Sequence, residues 1–179
     1  MSATRRALDQ YFTPASATRE LLKHIDVDTK YVLECCSGDG AITRELKEHR
    51  AVVKTNDIDR ALTADYYEDV ADEQGWYPFP GGGHWVISNP PFNQAAQIIP
   101  LAYNYASVGI AMLLRLSFLE PCLDRDLWLA AHPPTKLIVL PRISFTGDGK
   151  TDNVTCAWMV WLKGTPKGGV VVVPREGRL

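Results

Sequence analysis

The fold of this chain is decided by the stretch HWVISNPPF, residues 84–92. An apolar run typical of a buried strand opens it, and a polar amide, two prolines and an aromatic ring follow just past the strand's end. In open α/β sheets, ligands bind at the carboxyl ends of strands. Asn89 offers one acceptor and two donors, Pro90 and Pro91 fix the backbone, and Phe92 offers a flat apolar face. The stretch therefore suits a planar nitrogen base, although a proline-punctuated loop between a strand and a helix would have the same composition.

A glycine turn earlier in the chain has the pattern of a nucleotide-binding unit. Residues 31–36 predict a buried strand, residues 37–40 a turn and residues 41–50 a helix. Gly38 and Gly40 would let a ligand approach the backbone closely. Strand, glycine turn and helix together indicate the opening of a nucleotide-binding βα unit, and a plain tight turn is the alternative.

Acidic residues follow the next strand, which is predicted over residues 52–57. Asp57 lies about 20 positions beyond the glycine turn, where an acid fits the hydroxyl groups of a ribose. We expect Asp57 to bind a ligand and Asp59 to cap or support the segment that follows. Asp65 is a candidate acceptor for the amino group of an adenine.

The rest of the chain alternates strand and helix patterns, which predicts a mostly parallel sheet with helices on both faces. Further strands are predicted at residues 84–87, 108–114, 136–140 and 155–162, and helices at residues 15–25, 93–105 and 118–131. Residues 62–66 are interpreted as either a short strand or a loop, and residues 169–173 as an additional terminal strand. The loop before residues 155–162 is too short for a parallel crossover, so this late strand should be antiparallel to its neighbour.

Size and composition point to one soluble globular domain. The chain has 179 residues, of which 46% are hydrophobic and 22% charged. No apolar run reaches the ~18 residues of a membrane span, and no apolar core follows Met1–Arg6 as in a signal peptide. The four cysteines have neither zinc nor disulfide-scaffold spacing, so we expect no metal site and a reduced, cytoplasmic setting.

Charge is distributed unevenly along the chain. The net charge is −2, but residues 136–179 carry a local charge of +4 and residues 1–135 the remaining −6. The basic end suits contacts with phosphates and equally suits a solvated surface.

Taken together, these pieces resemble the class I S-adenosylmethionine-dependent methyltransferases. Within that class they look like the enzymes that methylate the exocyclic N6 amine of adenine. Residues 89–92 (NPPF) match the catalytic (N/D)PP(F/Y) loop of those enzymes, and residues 34–40 match their cofactor loop. Residues 11–14 (YFTP) look like the N-terminal cofactor motif of the γ order. The resemblance spans residues 10–162.

The resemblance implies a single Rossmann-like domain over residues 1–179, with a mostly parallel seven-stranded sheet, helices on both faces and an antiparallel late strand. Residues 1–14 would be a lead-in that carries the cofactor motif, and residues 163–179 a basic tail or an extra strand. The implied cofactor is S-adenosyl-L-methionine. The implied catalytic residues are Asn89, Pro90, Pro91 and Phe92. The implied cofactor-binding residues are Tyr11, Thr13, Pro14, Glu34, Cys36, Gly38, Gly40, Asp57, Ile58, Asp65, Tyr66 and Asn89. Phe92, Arg142 and Phe145 would bind the substrate.

The implied substrate is adenine in a nucleic acid, with DNA preferred over RNA. We expect no target-recognition domain after the catalytic motifs, and in this the chain resembles short phage-type DNA adenine methyltransferases. The host cytoplasm would then be the setting. Specificity would be loose, or would come from a recognition partner or a homodimer, or from residues 142–153 and the basic end.

Three alternatives stay open. RNA adenine methylation is the first, because both polymers present the same amine. Methylation of a protein glutamine amide is the second, since that family also uses an Asn-Pro-Pro loop, but its loop usually ends in tyrosine rather than the Phe92 found here. A catalytically silent module that binds the cofactor or a nucleic acid is the third.

Overall fold

The computed structural model describes residues 13–79, 84–142 and 154–165. Within these residues one sheet of six strands has the order β2–β1–β3–β4–β6–β5. The strands are β1 Tyr31–Glu34, β2 Val52–Thr55, β3 His84–Ser88, β4 Gly109–Arg115, β5 Lys136–Val139 and β6 Cys156–Leu162. The helices are α1 Ala15–Leu22, α2 Ala41–Glu48, α3 Ala95–Tyr105 and α4 Asp126–Ala131, with short 3-10 helices at Glu73–Trp76 and Leu116–Leu119.

The sheet is mostly parallel, as the alternating pattern predicts. Strand β1 pairs in parallel with β2 and β3, and β3 pairs in parallel with β4. Strand β6 pairs antiparallel with both β4 and β5, which confirms the prediction of an antiparallel late strand. Because β4 and β5 are both antiparallel to β6, they run in the same direction and end at the same edge of the sheet.

The predicted count of seven strands is not matched in the described residues. Residues 62–66 do not form a strand, because a single bridge between Asn56 and Tyr66 is all that pairs there. At the start of this segment, polar groups of the backbone bond to nearby side chains. Asp59 accepts from the amide of Ala61 at 2.9 Å, and the Tyr67 hydroxyl donates to the carbonyl of Leu62 at 3.0 Å. The predicted strand at residues 169–173 lies outside the described residues.

Helices cover both faces of the sheet, as expected, and two apolar layers result. Helices α1 and α2 contribute Leu21, Ile42 and Leu46 to the first core cluster. Helices α3 and α4 contribute Ile98, Ile99 and Leu129 to the second, together with alternate residues of β4. The indole nitrogen of Trp158 in β6 donates to the carbonyl of Ala17 at 2.8 Å and ties α1 to the sheet.

Several helices are shorter than the sequence pattern predicts. The predicted helix over residues 118–131 is divided into the 3-10 helix Leu116–Leu119 and the helix α4, with Pro121 between them. Pro100 lies inside α3 without ending it. None of the helices in the described residues has the length and apolar composition that crossing a bilayer requires.

Candidate active site

The site is built where the order of the strands changes direction. The chain passes from β1 outward to β2 and then returns to the other side of β1 to form β3. The loops after β1 and β3 therefore diverge at the carboxyl edge of the sheet, and a crevice opens between them. The glycine turn leaves β1 on one side of this crevice, and the loop of residues 89–92 leaves β3 on the other.

Two buried side chains hold the glycine turn after β1, Ser88 from the end of β3 and Asp57 from the loop after β2. The Ser88 hydroxyl, which is fully buried, accepts from the amide of Cys36 at 3.1 Å. The carboxylate of Asp57 accepts from the amide of Gly38 at 2.8 Å and from that of Asp59 at 2.9 Å. Gly38 has a φ of +54°, and a Cβ atom there would meet nothing within 4 Å. The turn is therefore held by Asp57 in a conformation that favours glycine, and it faces open space.

Asn56 brings a third loop to the crevice. Its side chain is fully buried and donates to the carbonyls of Cys35 and Glu68 at 2.9 and 3.1 Å. Its oxygen accepts from the amide of Glu68 at 2.8 Å. One amide thus uses three hydrogen bonds to hold residues 68–70 beside the end of β1. The sequence interpretation missed both Asn56 and this loop.

The three loops enclose an open cleft of about 740 Å³, counting its mouth. Its lining comes from residues 34–39 and 41–42, from Asp57 and Ile58, from residues 68–70, and from Thr13, Asn89, Pro91, Gln94 and Ile98. Several carboxylates lie among apolar side chains, an arrangement that fits a nucleoside carrying positive charge. Ile58 is 55% exposed at the mouth, where a bound planar ring would cover it.

Asn89 lines the cleft and is the first residue of the predicted catalytic loop, residues 89–92. Its side-chain nitrogen donates to the Thr13 hydroxyl at 3.1 Å, which uses one of the two donors of the amide and fixes its rotation. Pro91 lines the cleft, whereas Phe92 does not and packs instead against the first core cluster. The guanidinium carbon of Arg115, at the end of β4, lies 4.6 Å from the centroid of the Phe92 ring.

The structure brings together most of the predicted cofactor residues that it describes. Thr13, Glu34, Cys36, Gly38, Asp57, Ile58 and Asn89 all line the cleft. Pro14 and Gly40 do not line it, and each instead precedes a helix, α1 and α2 respectively. Arg142 is exposed beyond the end of β5. Tyr11 and Phe145 lie outside the described residues.

Asp65 and Tyr66 are not among the residues that line the cleft. The carboxylate of Asp65 accepts from the amide and hydroxyl of Thr55 at 2.9 and 3.0 Å and pairs with Lys54 at 2.9 Å. The ring of Tyr66 packs edge-on against Phe79. Asp69 lines the cleft instead, three residues beyond the bridge at Tyr66. A signal for it exists in the sequence, because Asp69-Val70 repeats the pattern of Asp57-Ile58, an acid followed by a β-branched residue.

The surroundings raise the pKa of two further groups in the cleft. Burial raises the pKa of Glu34 well above its ordinary value, although a hydrogen bond from the Thr43 hydroxyl opposes the shift. The adjacent thiol of Cys35, and burial after it, raise the pKa of Cys36 well above its ordinary value. A neutral thiol is a poor nucleophile, so Cys36 lines the cleft without the character of a reactive cysteine.

The buried carboxyl of Glu34 predicts a specific pH dependence of stability. Its folded-state pKa is raised, so the folded protein binds more protons than the unfolded chain above pH 4.5. The free energy of unfolding should therefore lose this contribution as the pH rises toward the folded pKa. Glu34→Gln should remove this pH dependence. The free energy of unfolding of the variant, relative to that of the wild type, should therefore increase as the pH rises. Urea unfolding of both proteins from pH 5 to pH 8 measures the difference, and parallel curves would contradict it. Glu48→Gln, at an exposed glutamate of α2, is the control and should follow the wild type.

Comparison with known proteins adds evidence on the fold. No protein-family model and no curated protein matches the sequence. Solved structures do match. A protein of Pyrococcus horikoshii assigned as an RNA methyltransferase superposes with a TM-score of 0.66 at 20% identity, covering 87% of this chain and 88% of its own. The chain has the class I methyltransferase fold.

Two other structures with this fold are described as the M protein of a type I restriction enzyme and as a dimethyladenosine transferase. The M protein of the type I restriction enzyme EcoKI superposes with a TM-score of 0.66 at 15% identity, over 87% of this chain and 44% of that protein. A dimethyladenosine transferase of Plasmodium falciparum superposes with a TM-score of 0.61 at 12% identity, over 86% of this chain and 63% of the other. The class I methyltransferase fold is thus shared with proteins of different lengths and substrates.

Proposed function

We propose that this protein transfers a methyl group from S-adenosylmethionine to the exocyclic N6 amine of adenine in a nucleic acid, with DNA as the preferred polymer. The observation that carries the proposal is the position of Asn89-Pro90-Pro91-Phe92 at the end of β3, next to the acid-lined cleft at the switch point. A cofactor in that cleft would present its methyl group to a base held by this loop.

The residues of the cleft fit S-adenosylmethionine in chemical type. Asp57 keeps acceptor capacity beyond its two backbone bonds, since a carboxylate has about four lone-pair sites, and would take the ribose hydroxyls. Ile58, Val70 and Ile98 supply apolar surface for an adenine ring. The other acidic residues suit the positive charges of the ligand. The cofactor supplies an electrophilic methyl group bonded to a sulfonium.

The catalytic loop would activate a weak nucleophile. The lone pair of the adenine amine is delocalised into the ring, so its nitrogen must become pyramidal before it can attack. The side-chain oxygen of Asn89 and the carbonyl oxygen of Pro90 would accept its two N–H groups and stabilise the positive charge that grows on the nitrogen. With the cofactor in the cleft and the amine held by Asn89 and Pro90, the nitrogen would bond to the methyl carbon as the carbon–sulfur bond broke, and one N–H proton would then pass to solvent. Much of the remaining rate acceleration would come from holding the amine and the methyl group in the correct relative position.

The structure favours Asp69 over Asp65 as the acceptor for the amino group of the cofactor adenine. Asp69 lines the cleft, whereas Asp65 is held by Thr55 and Lys54. Asp69→Asn should weaken the binding of S-adenosylhomocysteine about tenfold, as expected for one charge-assisted hydrogen bond. Asp65→Asn is the matched control and should bind it like the wild type. Isothermal calorimetry measures both, and the reverse order of the two affinities would restore Asp65 as the acceptor.

RNA is the second candidate substrate, because the Pyrococcus horikoshii protein that this chain matches over nearly its whole length is assigned to RNA. A panel of single- and double-stranded DNA and RNA, incubated with the protein and cofactor labelled in the methyl group, separates the two. Nuclease digestion and chromatography then identify the labelled nucleoside. Labelled N6-methyladenine from DNA supports the proposal, and label confined to RNA favours the second candidate. No label in any nucleic acid, with a protein that binds the cofactor, would refute both.

A further inference from the structure

Charge is divided along the carboxyl edge of the sheet. On the side of β1 and β2, the cleft is lined by the acids Asp39, Asp57, Glu68 and Asp69. On the other side, Arg115 is the last residue of β4, and Arg142 lies three residues after the end of the parallel strand β5. Acids do occur beyond β4: Asp124 pairs with Arg125 at 3.0 Å, and Glu120 is exposed five residues after Arg115. A polyanion would be repelled from the cofactor side of this edge and attracted to the side of β4.

Three arginines in the described ranges lie over aromatic rings, namely Arg60, Arg115 and Arg125, and of these Arg115 lies at the end of β4. Arg19, Arg44, Arg50 and Arg125 each pair with a carboxylate. No carboxylate in the described ranges pairs with Arg115, which is half-buried at the end of β4 over the ring of Phe92. The stacked ring orients the guanidinium without consuming its N–H groups. The donors of Arg115 are thus preoriented beside the loop that carries Asn89.

We infer that Arg115 binds the phosphate that flanks the target adenosine and that the nucleic-acid strand crosses the ends of β4 and β5 to reach Asn89. This inference rests on the proposed function and adds the path of its substrate. The planar fork of a guanidinium matches two phosphate oxygens at once. Contact with Phe92 would couple that anchor to the aromatic surface on which the base is expected to stack. Arg142 lies along the same path, beyond the next parallel strand end.

Binding measurements without turnover test this role. The ligand is a fluorescent oligonucleotide with a single adenine, in a context that the substrate panel has shown to be methylated, and S-adenosylhomocysteine fills the cofactor site. By anisotropy, Arg115→Ala should weaken binding about tenfold and reduce the slope of log affinity against log salt by about 1. Arg115→Lys should recover the slope, because lysine still binds phosphate. Arg60→Ala is the control, since Arg60 lies over a ring, that of Tyr67, at 5.4 Å on the acidic side of the edge.

A neutral phosphate isolates the contact itself. The same oligonucleotide with methylphosphonates flanking the adenine should bind the wild type as weakly as Arg115→Ala binds the ordinary strand. Arg115→Ala should not distinguish the two ligands. A wild-type salt slope for Arg115→Ala, or a wild type insensitive to the methylphosphonates, would overturn the inference while leaving the methyltransferase proposal intact. A wild type that binds cofactor but neither binds nor methylates any nucleic acid would overturn both.

Discussion

Asn89→Ala should reduce the rate of methyl transfer by about a hundredfold to a thousandfold, which is the usual effect of removing one preorganised polar group that stabilises a transition state. The substitution removes the acceptor for one N–H of the substrate amine. It also removes the donor that ties the loop to the Thr13 hydroxyl at 3.1 Å. Cofactor affinity should change far less, because the cleft is held by Asp57, Ser88 and Asn56. Single-turnover rates with labelled cofactor, together with calorimetry, measure the two effects separately.

Two further variants test whether the amide acts through its acceptor. Asn89→Asp keeps acceptor oxygens at the same position, and the Thr13 hydroxyl can donate to them, so it should retain much more activity than Asn89→Ala. Asn93→Ala changes an exposed asparagine four residues further along and should match the wild type. Near-normal rates for Asn89→Ala would remove the loop from the chemistry.

Most of the sheet was predictable because the amino-acid composition of its strands indicates them directly. The runs at residues 84–87 and 108–114 are apolar enough to be buried on both faces, and their parallel pairing as β3 and β4 follows. The antiparallel direction of β6 follows from the length of the loop before it. At residues 62–66 the pattern left a short strand and a loop open, and the structure has a loop, in which a single bridge joins Asn56 to Tyr66 and the Tyr67 hydroxyl donates to the carbonyl of Leu62.

The lining of the cleft was predictable where it follows directly from a strand end. Gly38, Asp57 and Asn89 each lie within a few residues of the end of β1, β2 or β3, so the order of the strands brings them together. Residues 68–70 reach the cleft by a different route. The buried amide of Asn56 holds them through three hydrogen bonds that span 12 and 21 positions of the chain. The sequence interpretation chose Asp65, whereas this tertiary contact places Asp69 in the cleft.

The position of Arg115 was visible in the sequence, but its surroundings were not. A cation at the end of a buried strand has no evident meaning until its neighbours are known. The register of β4 against β3 pairs Ser88 with Met112, so Arg115 extends three residues past that pair, alongside the NPPF loop. Proximity to the loop, rather than the charge of the whole chain, suggests a substrate role in a protein whose net charge is −2.

Asp57→Ala should weaken the binding of S-adenosylhomocysteine by about tenfold to a hundredfold, because hydrogen bonds to a charged group contribute about 1.5–3 kcal/mol. Two losses act together. The ribose hydroxyls lose their acceptor, and the amide of Gly38 loses the bond of 2.8 Å that holds the glycine turn in its φ of +54°. Calorimetry gives the affinity, and thermal unfolding with and without ligand gives an independent readout.

Asp57→Asn separates these two losses. Its amide oxygen can still accept from Gly38 but lacks the charge, so the turn should be kept and the affinity should lie between those of the wild type and Asp57→Ala. Asp59→Ala is the control, since Asp59 supports the neighbouring turn through Ala61 and does not line the cleft. If Asp57→Ala bound the ligand like the wild type, the carboxylate would have only its structural role, and the ribose would have to be placed elsewhere in the cleft. If Asp59→Ala weakened binding equally, the shape of the loop rather than the Asp57 carboxylate would determine affinity.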